Sequence, residues 1–428
     1  MKIPTSMQAR SCLLCAALGG LAGCATTVEP YMPPTPVVFK LERLDLAATL
    51  PAPLRTTQVP VFYATTRAPA EEGEAGHYRN ARDESLRLGV AHVALGEPGW
   101  DWAALVASDR GDTMVKARPG RVERVDEIGV VRRDAPESDA EAAFVERVNA
   151  RLAAARNPQV AVYVHGYKVT FDEVAVLMGS LSHYLGHGAM VTFQWPTGLN
   201  FWNYLTDCPR AERDIPDIER VIALLAKTRA ERVNIMVYSC GSPLVAEALV
   251  RLRARHPDEG REALARRYRI GNVIFAASDV DLKTFARDYM PPILDLAQQV
   301  IVYYSRLDAA LGFSSLLAGA SRIGRPNIED LTVEDLQRLA TDSRLQPIDV
   351  TNVRGPHEMG GMRGHGYWYA NDWISTDLIL SLRESIPPQR RCLVPGGAQG
   401  KSWGFPPDYE TCLEEALLGQ FPQLRRSQ

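Results

Sequence analysis

The stretch Val237-Tyr238-Ser239-Cys240-Gly241-Ser242-Pro243 decides the fold. It follows an apolar run, residues 233–238, and leads into an amphipathic segment, residues 243–255. A strand therefore passes into a helix through a turn centred on a serine. Such a turn is sharp and strained, and it calls for small residues two positions before and two after the serine. Gly241 meets that demand and Val237 does not. Pro243 suits the first turn of a helix, where its missing N–H costs nothing. Taken alone, the stretch reads equally well as an irregular turn around a buried serine, because short motifs carry false positives.

Outward from this turn the pattern repeats. Short apolar runs at residues 160–164, 190–195, 233–238, 273–277, 300–304 and 347–350 alternate with longer amphipathic segments such as 218–227 and 243–255. Strands alternating with helices at this spacing predict βαβ units and a mostly parallel sheet. Two earlier β-rich runs, residues 59–65 and 88–95, are expected as an antiparallel edge of that sheet.

In a parallel α/β sheet, functional groups gather at the carboxyl ends of the strands. His165-Gly166-Tyr167 follows the run at 160–164, and the N–H of Tyr167 can point at a developing oxyanion there. An ordinary glycine turn explains the same residues. Cys240, next to Ser239, is expected to supply a second backbone donor. Asp308 follows the run at 300–304, and His365 lies beyond the last run, in Gly364-His365-Gly366-Tyr367-Trp368. The order Ser239, Asp308, His365 is the one expected when a serine nucleophile sits on such a turn, with the histidine as base and the carboxylate holding its tautomer. Asp308 is also suited to cap a helix, and His365 to pack beside Trp368. His357 is an alternative base, and Asp279 and Asp281 are alternative acids. The aromatic-rich loop holding Trp195, Phe201, Trp202 and Tyr204 is either a hydrophobic pocket lining or simple packing.

Residues 59–381 resemble a bacterial α/β-hydrolase family of unknown function, esterase/lipase-like. The stretches that carry the resemblance are Val61-Phe62-Tyr63-Ala64-Thr65-Thr66-Arg67, Val164-His165-Gly166-Tyr167-Lys168-Val169-Thr170-Phe171, Phe193-Gln194-Trp195-Pro196, Ala277-Ser278-Asp279-Val280-Asp281, Tyr304-Ser305-Arg306-Leu307-Asp308 and Gly364-His365-Gly366-Tyr367. The resemblance implies an α/β-hydrolase fold, a mostly parallel central sheet with helices on both faces. It also implies hydrolysis of a small ester or lipid without metal or organic cofactor. The family's elbow is usually Ala-His-Ser-Met-Gly. Here Val237 is expected to crowd the turn, and Tyr238 replaces a side chain that often supports it from behind. A second reading follows, a catalytically impaired lipoprotein that keeps the scaffold as a binding or structural module of the envelope.

The chain has 428 residues, 46% hydrophobic and 23% charged, enough for a large α/β domain with insertions. The formal charge of −3, with both signs mixed along the chain, argues against a nucleic-acid partner. Lys2 and Arg10 precede an uncharged small-residue run, residues 11–23, too short to span a bilayer. It reads as a signal peptide over residues 1–23. Leu21-Ala22-Gly23-Cys24 resembles a bacterial lipobox, which implies lipidation at Cys24, and Ala25 after it implies the outer membrane. Residues 24–57 are proline-rich and are expected as a tether with one short strand at 37–41. The expected hydrolase domain spans 58–390, with a C-terminal extension at 391–428 in which Trp403 and Phe405 can pack on the body. Once the signal is removed and Cys24 consumed, Cys208, Cys240, Cys392 and Cys412 remain, and the last two are candidates for a disulfide.

Overall fold

The computed structural model describes residues 30–111, 117–134, 138–186, 188–353, 364–397 and 401–426. The expected signal peptide, Cys24 and His357 lie outside these residues. Among the described residues one sheet runs through the molecule. Its strands in chain order are β1 (Tyr31–Met32), β2 (Gln58–Pro69), β3 (Tyr78–Leu95), β4 (Arg118–Arg132), β5 (Gln159–Val164), β6 (Ala189–Gln194), β7 (Arg232–Tyr238), β8 (Ile270–Ala276), β9 (Ala297–Tyr304), β10 (Leu345–Asp349), β11 (Val394–Gly396) and β12 (Ser402–Gly404). They are ordered β1-β4-β3-β2-β6-β5-β7-β8-β9-β10-β12-β11 in space. From β2 to β12 every neighbouring pair is parallel, and the strands outside that block pair antiparallel. The expected α/β architecture is the observed one: β2 and β3 pair antiparallel as expected, and β2 also joins the parallel block through β6.

The central strands are buried on both faces, which is why they read as unbroken apolar runs. Alternate residues supply two cores. Val160, Val162, Val164, Val233, Ile235 and Val237 enter one, while Tyr163, Met236, Ile274 and Ile301 enter the other. Helices cover both faces. The helix Phe171–Leu185 starts at a capping box in which Thr170 and Glu173 satisfy each other's exposed backbone N–H groups.

The expected tether is corrected over its described part. Residues 30–57 lie against the body with Val38, Leu44, Leu46, Leu50 and Leu54 buried. Three 3-10 turns, Val37–Phe39, Ala47–Thr49 and Ala52–Leu54, lead the segment over the body, and its aliphatic residues find the apolar surface. The expected strand at 37–41 is instead a 3-10 turn, Val37–Phe39, whose Val38 N–H donates to Thr376 Oγ1 at 3.2 Å. The strand in this region is β1, paired with β4. The C-terminal segment is likewise built in. Its β12 extends the sheet beside β10, Cys392 and Cys412 are disulfide-bonded, and the fully buried Arg391 donates to Asp377 at 2.6 Å.

Beside β1 sits a buried ionic cluster that ties the N-terminal segment down. Asp109 Oδ1 lies 2.5 Å from Arg118 Nη1 and 3.4 Å from the Thr35 hydroxyl, and Asp109 Oδ2 lies 2.8 Å from His183 Nε2. Burial raises the Asp109 pKa, but His183 and Arg118 outweigh it and the net shift is downward. Asp109→Asn leaves the Arg118 charge buried without its partner, so unfolding in urea should show a loss of about 3–5 kcal/mol. Because the folded-state pKa of Asp109 is depressed, its stabilisation is present above the ordinary carboxylate pKa and is lost as pH falls through the lowered value. The gap between wild type and variant should therefore narrow in acid.

Candidate active site

The site forms where β5 and β7, neighbours in the sheet, both end. Ser239 leaves β7 with φ at 52°, a left-handed conformation that costs a non-glycine residue energy and is held only by its surroundings. What holds it is the contact between the two turns. A Cβ on Gly241 would overlap the carbonyl oxygen of His165, and one on Gly166 would lie 2.8 Å from Ser239 Cβ. The glycines at both places let the backbones touch. Trp195 Nε1–H donates to the same His165 carbonyl at 2.9 Å, and its ring stacks on the His165 imidazole. Burial, followed by the nearby Arg67, drives the His165 pKa well below its ordinary value, so this ring is neutral.

The expected crowding at Val237 does not occur. Val237 pairs in register with Val164 and Phe275, and its side chain is fully buried in the core with theirs. Tyr238 supports the site from the other core. Its ring lies 5.0 Å from that of His365, and its hydroxyl is 3.4 Å from the His365 carbonyl oxygen.

The structure brings Ser239, His365 and Asp308 together. Ser239 Oγ lies 2.8 Å from His365 Nε2, and His365 Nδ1 lies 2.8 Å from Asp308 Oδ2. A carboxylate only accepts, so Nδ1 carries the proton and Nε2 faces the serine hydroxyl as an acceptor. Asp308 serves the helix as well, because its Oδ1 accepts from Leu311 N at 3.0 Å as the N-cap of Ala309–Ala318. Capping and orienting the imidazole are thus one arrangement, each carboxylate oxygen taking one donor. The two other acids are occupied elsewhere. Asp281 caps the short helix Leu282–Thr284. Asp279 accepts from the Tyr204 hydroxyl at 2.6 Å and the Ser314 hydroxyl at 2.5 Å, and Arg322 lies 3.2 Å away. Asp279 also reaches the elbow, its N–H donating to the Ser239 carbonyl at 3.3 Å.

Tyr167 and Cys240, the expected backbone donors, follow Gly166 and Ser239 directly in the chain. Tyr167 follows Gly166, whose backbone abuts the serine, and its ring lines the cavity over Ser239 and His365. Cys240 departs from the sequence reading, which gave it a backbone role alone. Its side chain is disulfide-bonded to Cys208, with Cα atoms 5.8 Å apart. The cysteines left over after Cys24 and the Cys392–Cys412 pair were the signal for this bond. Ser314 and Arg322 had no comparable signal, whereas Tyr204, in the aromatic-rich loop, lines the cavity as one of the two readings of that loop expected. Among the described residues no group of three His, Cys, Asp or Glu side chains is arranged to hold a metal ion.

An α/β sheet with a serine on a strained strand-to-helix turn defines the chain as a member of the α/β-hydrolase class. Residues 140–381, more than half of the chain, match the family described as alpha/beta hydrolase of unknown function (DUF900), and the chain belongs to that family. A search of curated proteins found no match.

Gly241→Ala forces a Cβ onto a carbonyl that Trp195 also holds in place. Thermal or urea unfolding should show a loss of about 1–3 kcal/mol, the usual cost of overpacking; unchanged stability would contradict the close approach of the two turns.

Proposed function

We propose that this protein is a serine hydrolase of carboxylic esters. The observation that carries the reading is the unbroken series from Ser239 through His365 to Asp308, with both hydrogen bonds at 2.8 Å. In the proposed reaction His365 Nε2 takes the Ser239 proton as Oγ attacks the ester carbonyl. The backbone N–H groups of Tyr167 and Cys240 donate to the oxyanion of the tetrahedral intermediate. Collapse breaks the bond to the alkoxy group, which leaves with the proton from His365. Water then repeats the sequence on the acyl-enzyme, with His365 again as base. Asp308 stabilises the imidazolium formed in each half and fixes the tautomer.

The test is covalent labelling of the purified protein with a fluorophosphonate. Wild type should be labelled and Ser239→Ala should not; an unlabelled wild type favours the non-catalytic binding module instead. Asp308→Asn keeps the shape but permits the wrong imidazole tautomer, so kcat for an activated ester should fall by about 10⁴-fold with little change in KM.

We also propose that the chain is exported and anchored in the cell envelope by lipid on Cys24, with residues 1–23 as the signal peptide. The support is the cationic start, the uncharged run and Leu21-Ala22-Gly23-Cys24. No helix among the described residues is long and apolar enough to cross a membrane. In cells, wild type should sediment with membranes and Cys24→Ser should not; a Cys24→Ser protein still in the membrane fraction rules the anchor out.

A further inference from the structure

Ser239 does not stand at an open mouth. It is 4% exposed and His365 8%. The cavity over them, bounded by Tyr167, Tyr204, Asp279, Leu311, Phe313 and Ser314, is a cleft of about 280 Å³ that includes the open solvent at its mouth, and its enclosed part has space for little more than a water molecule. A long acyl chain therefore cannot be seated over Ser239 while these walls keep their positions.

Most of the cavity wall is rigid. Leu311 and Ser314 lie on the helix capped by Asp308, and Asp279 is tied to the elbow through its N–H. Tyr204 is different, because it belongs to the segment Phe201–Arg210, a 3-10 turn and a seven-residue helix containing Pro209. Trp202 and Leu205 on this segment are 66% and 49% exposed, so the segment lies at the surface. Its position depends on specific ties. The Tyr204 hydroxyl donates to Asp279 Oδ2 at 2.6 Å and lies 2.8 Å from Ser314 Oγ. The Tyr204 ring packs edge-on against Tyr167 with centroids 5.3 Å apart. Cys208, one helical turn further on, is bonded to Cys240, the residue after the serine. Burial and the neighbouring Asp279 push the Tyr204 phenol pKa up, so its hydroxyl stays protonated and able to donate.

We propose that Phe201–Arg210 is a latched roof that sets substrate size: with Tyr204 tied to Asp279 and Cys208 tied to the elbow, the site accepts esters of short acyl chains and excludes long ones. The inference rests on the Ser239 reading and adds the substrate class and the residues that select it. Tyr204 is the size-selecting side chain, and Cys208 acts through it as a positioning residue. Reduction of the Cys208–Cys240 bond by a dithiol, which gives two thiols and the oxidised dithiol, releases one of the two latches.

The experiment compares labelling rates for two fluorophosphonates, one with short alkoxy groups and one with a long alkyl chain, in the full-length protein. Wild type should label with the short probe at least about tenfold faster, the scale on which a pocket rejects a few extra methylenes. Tyr204→Ala, and Tyr204→Leu should the alanine variant unfold, should bring the two rates together by accelerating the long probe. Tyr204→Phe keeps the ring but loses the hydroxyl that ties it to Asp279, so it should narrow the ratio by less than the alanine variant does. Cys208→Ser should narrow the ratio in the same direction, and its KM for long-chain esters should fall. Equal rates for both probes in wild type, or an unchanged ratio in both opened variants, overturn the roof while leaving the serine mechanism standing. Absence of label from both probes in every protein overturns the serine mechanism itself, and the roof falls with it.

Discussion

At the carboxyl ends of β5 and β7 the backbone turns of two neighbouring strands press against each other. Gly241 sits on the His165 carbonyl, and Gly166 sits on Ser239. Parallel pairing brings Val164 opposite Val237, so both turns begin at the same height above the sheet. Without side chains at Gly166 and Gly241, each turn becomes a wall for the other. The left-handed backbone at Ser239 survives because of that contact, since a lone residue in this conformation relaxes unless its surroundings over-determine it. The same contact needs the sheet beneath it to be rigid.

Rigidity around the site comes from groups that each serve two elements. Asp308 gives one oxygen to a helix terminus and the other to His365. Asp279 gives its N–H to the elbow and its carboxylate to Tyr204 and Ser314. Tyr367 accepts from the Ala277 N–H and donates to the Tyr303 carbonyl, both at 2.8 Å, and so clamps β8 to β9 two residues after His365. Placing the imidazole and stabilising the fold are consequently one task here, and a preorganised site follows from shared hydrogen bonds.

The parts legible in the sequence are those whose physics is local. Strands buried on both faces must be apolar throughout, so β5 to β9 stand out. The required order of serine, aspartate and histidine singles out Ser239, Asp308 and His365, and the structure joins these three. Beyond local reach the reading failed. β4 escaped because it lies near the edge and is half solvated. Its Arg121, Glu123, Arg124, Asp126 and Glu127 pair along and across strands, as in Arg124 and His92 around Asp126, and leave no apolar run. The stretch from 30 to 57 looked like a tether because its prolines are close together while its buried aliphatic residues follow no period. Val237 looked too large for the turn because the rule concerns the turn alone, whereas this side chain has a core to enter.

The Cys208–Cys240 bond joins a loop to the elbow across 32 residues, and the Cys392–Cys412 bond closes the C-terminal segment across 20. Such bonds persist in oxidising compartments and are rare where glutathione keeps thiols reduced. The proposed export signal implies that kind of compartment, and it is read from residues that share nothing with either bond. The disulfides and the export signal therefore point to one kind of compartment from independent parts of the chain. Their agreement also gives the first bond a physical role suited to its place. In an oxidising envelope a bridge beside Ser239 is permanent, and it holds in position a surface segment that hydrogen bonds to Asp279 and Ser314 tie at one point only.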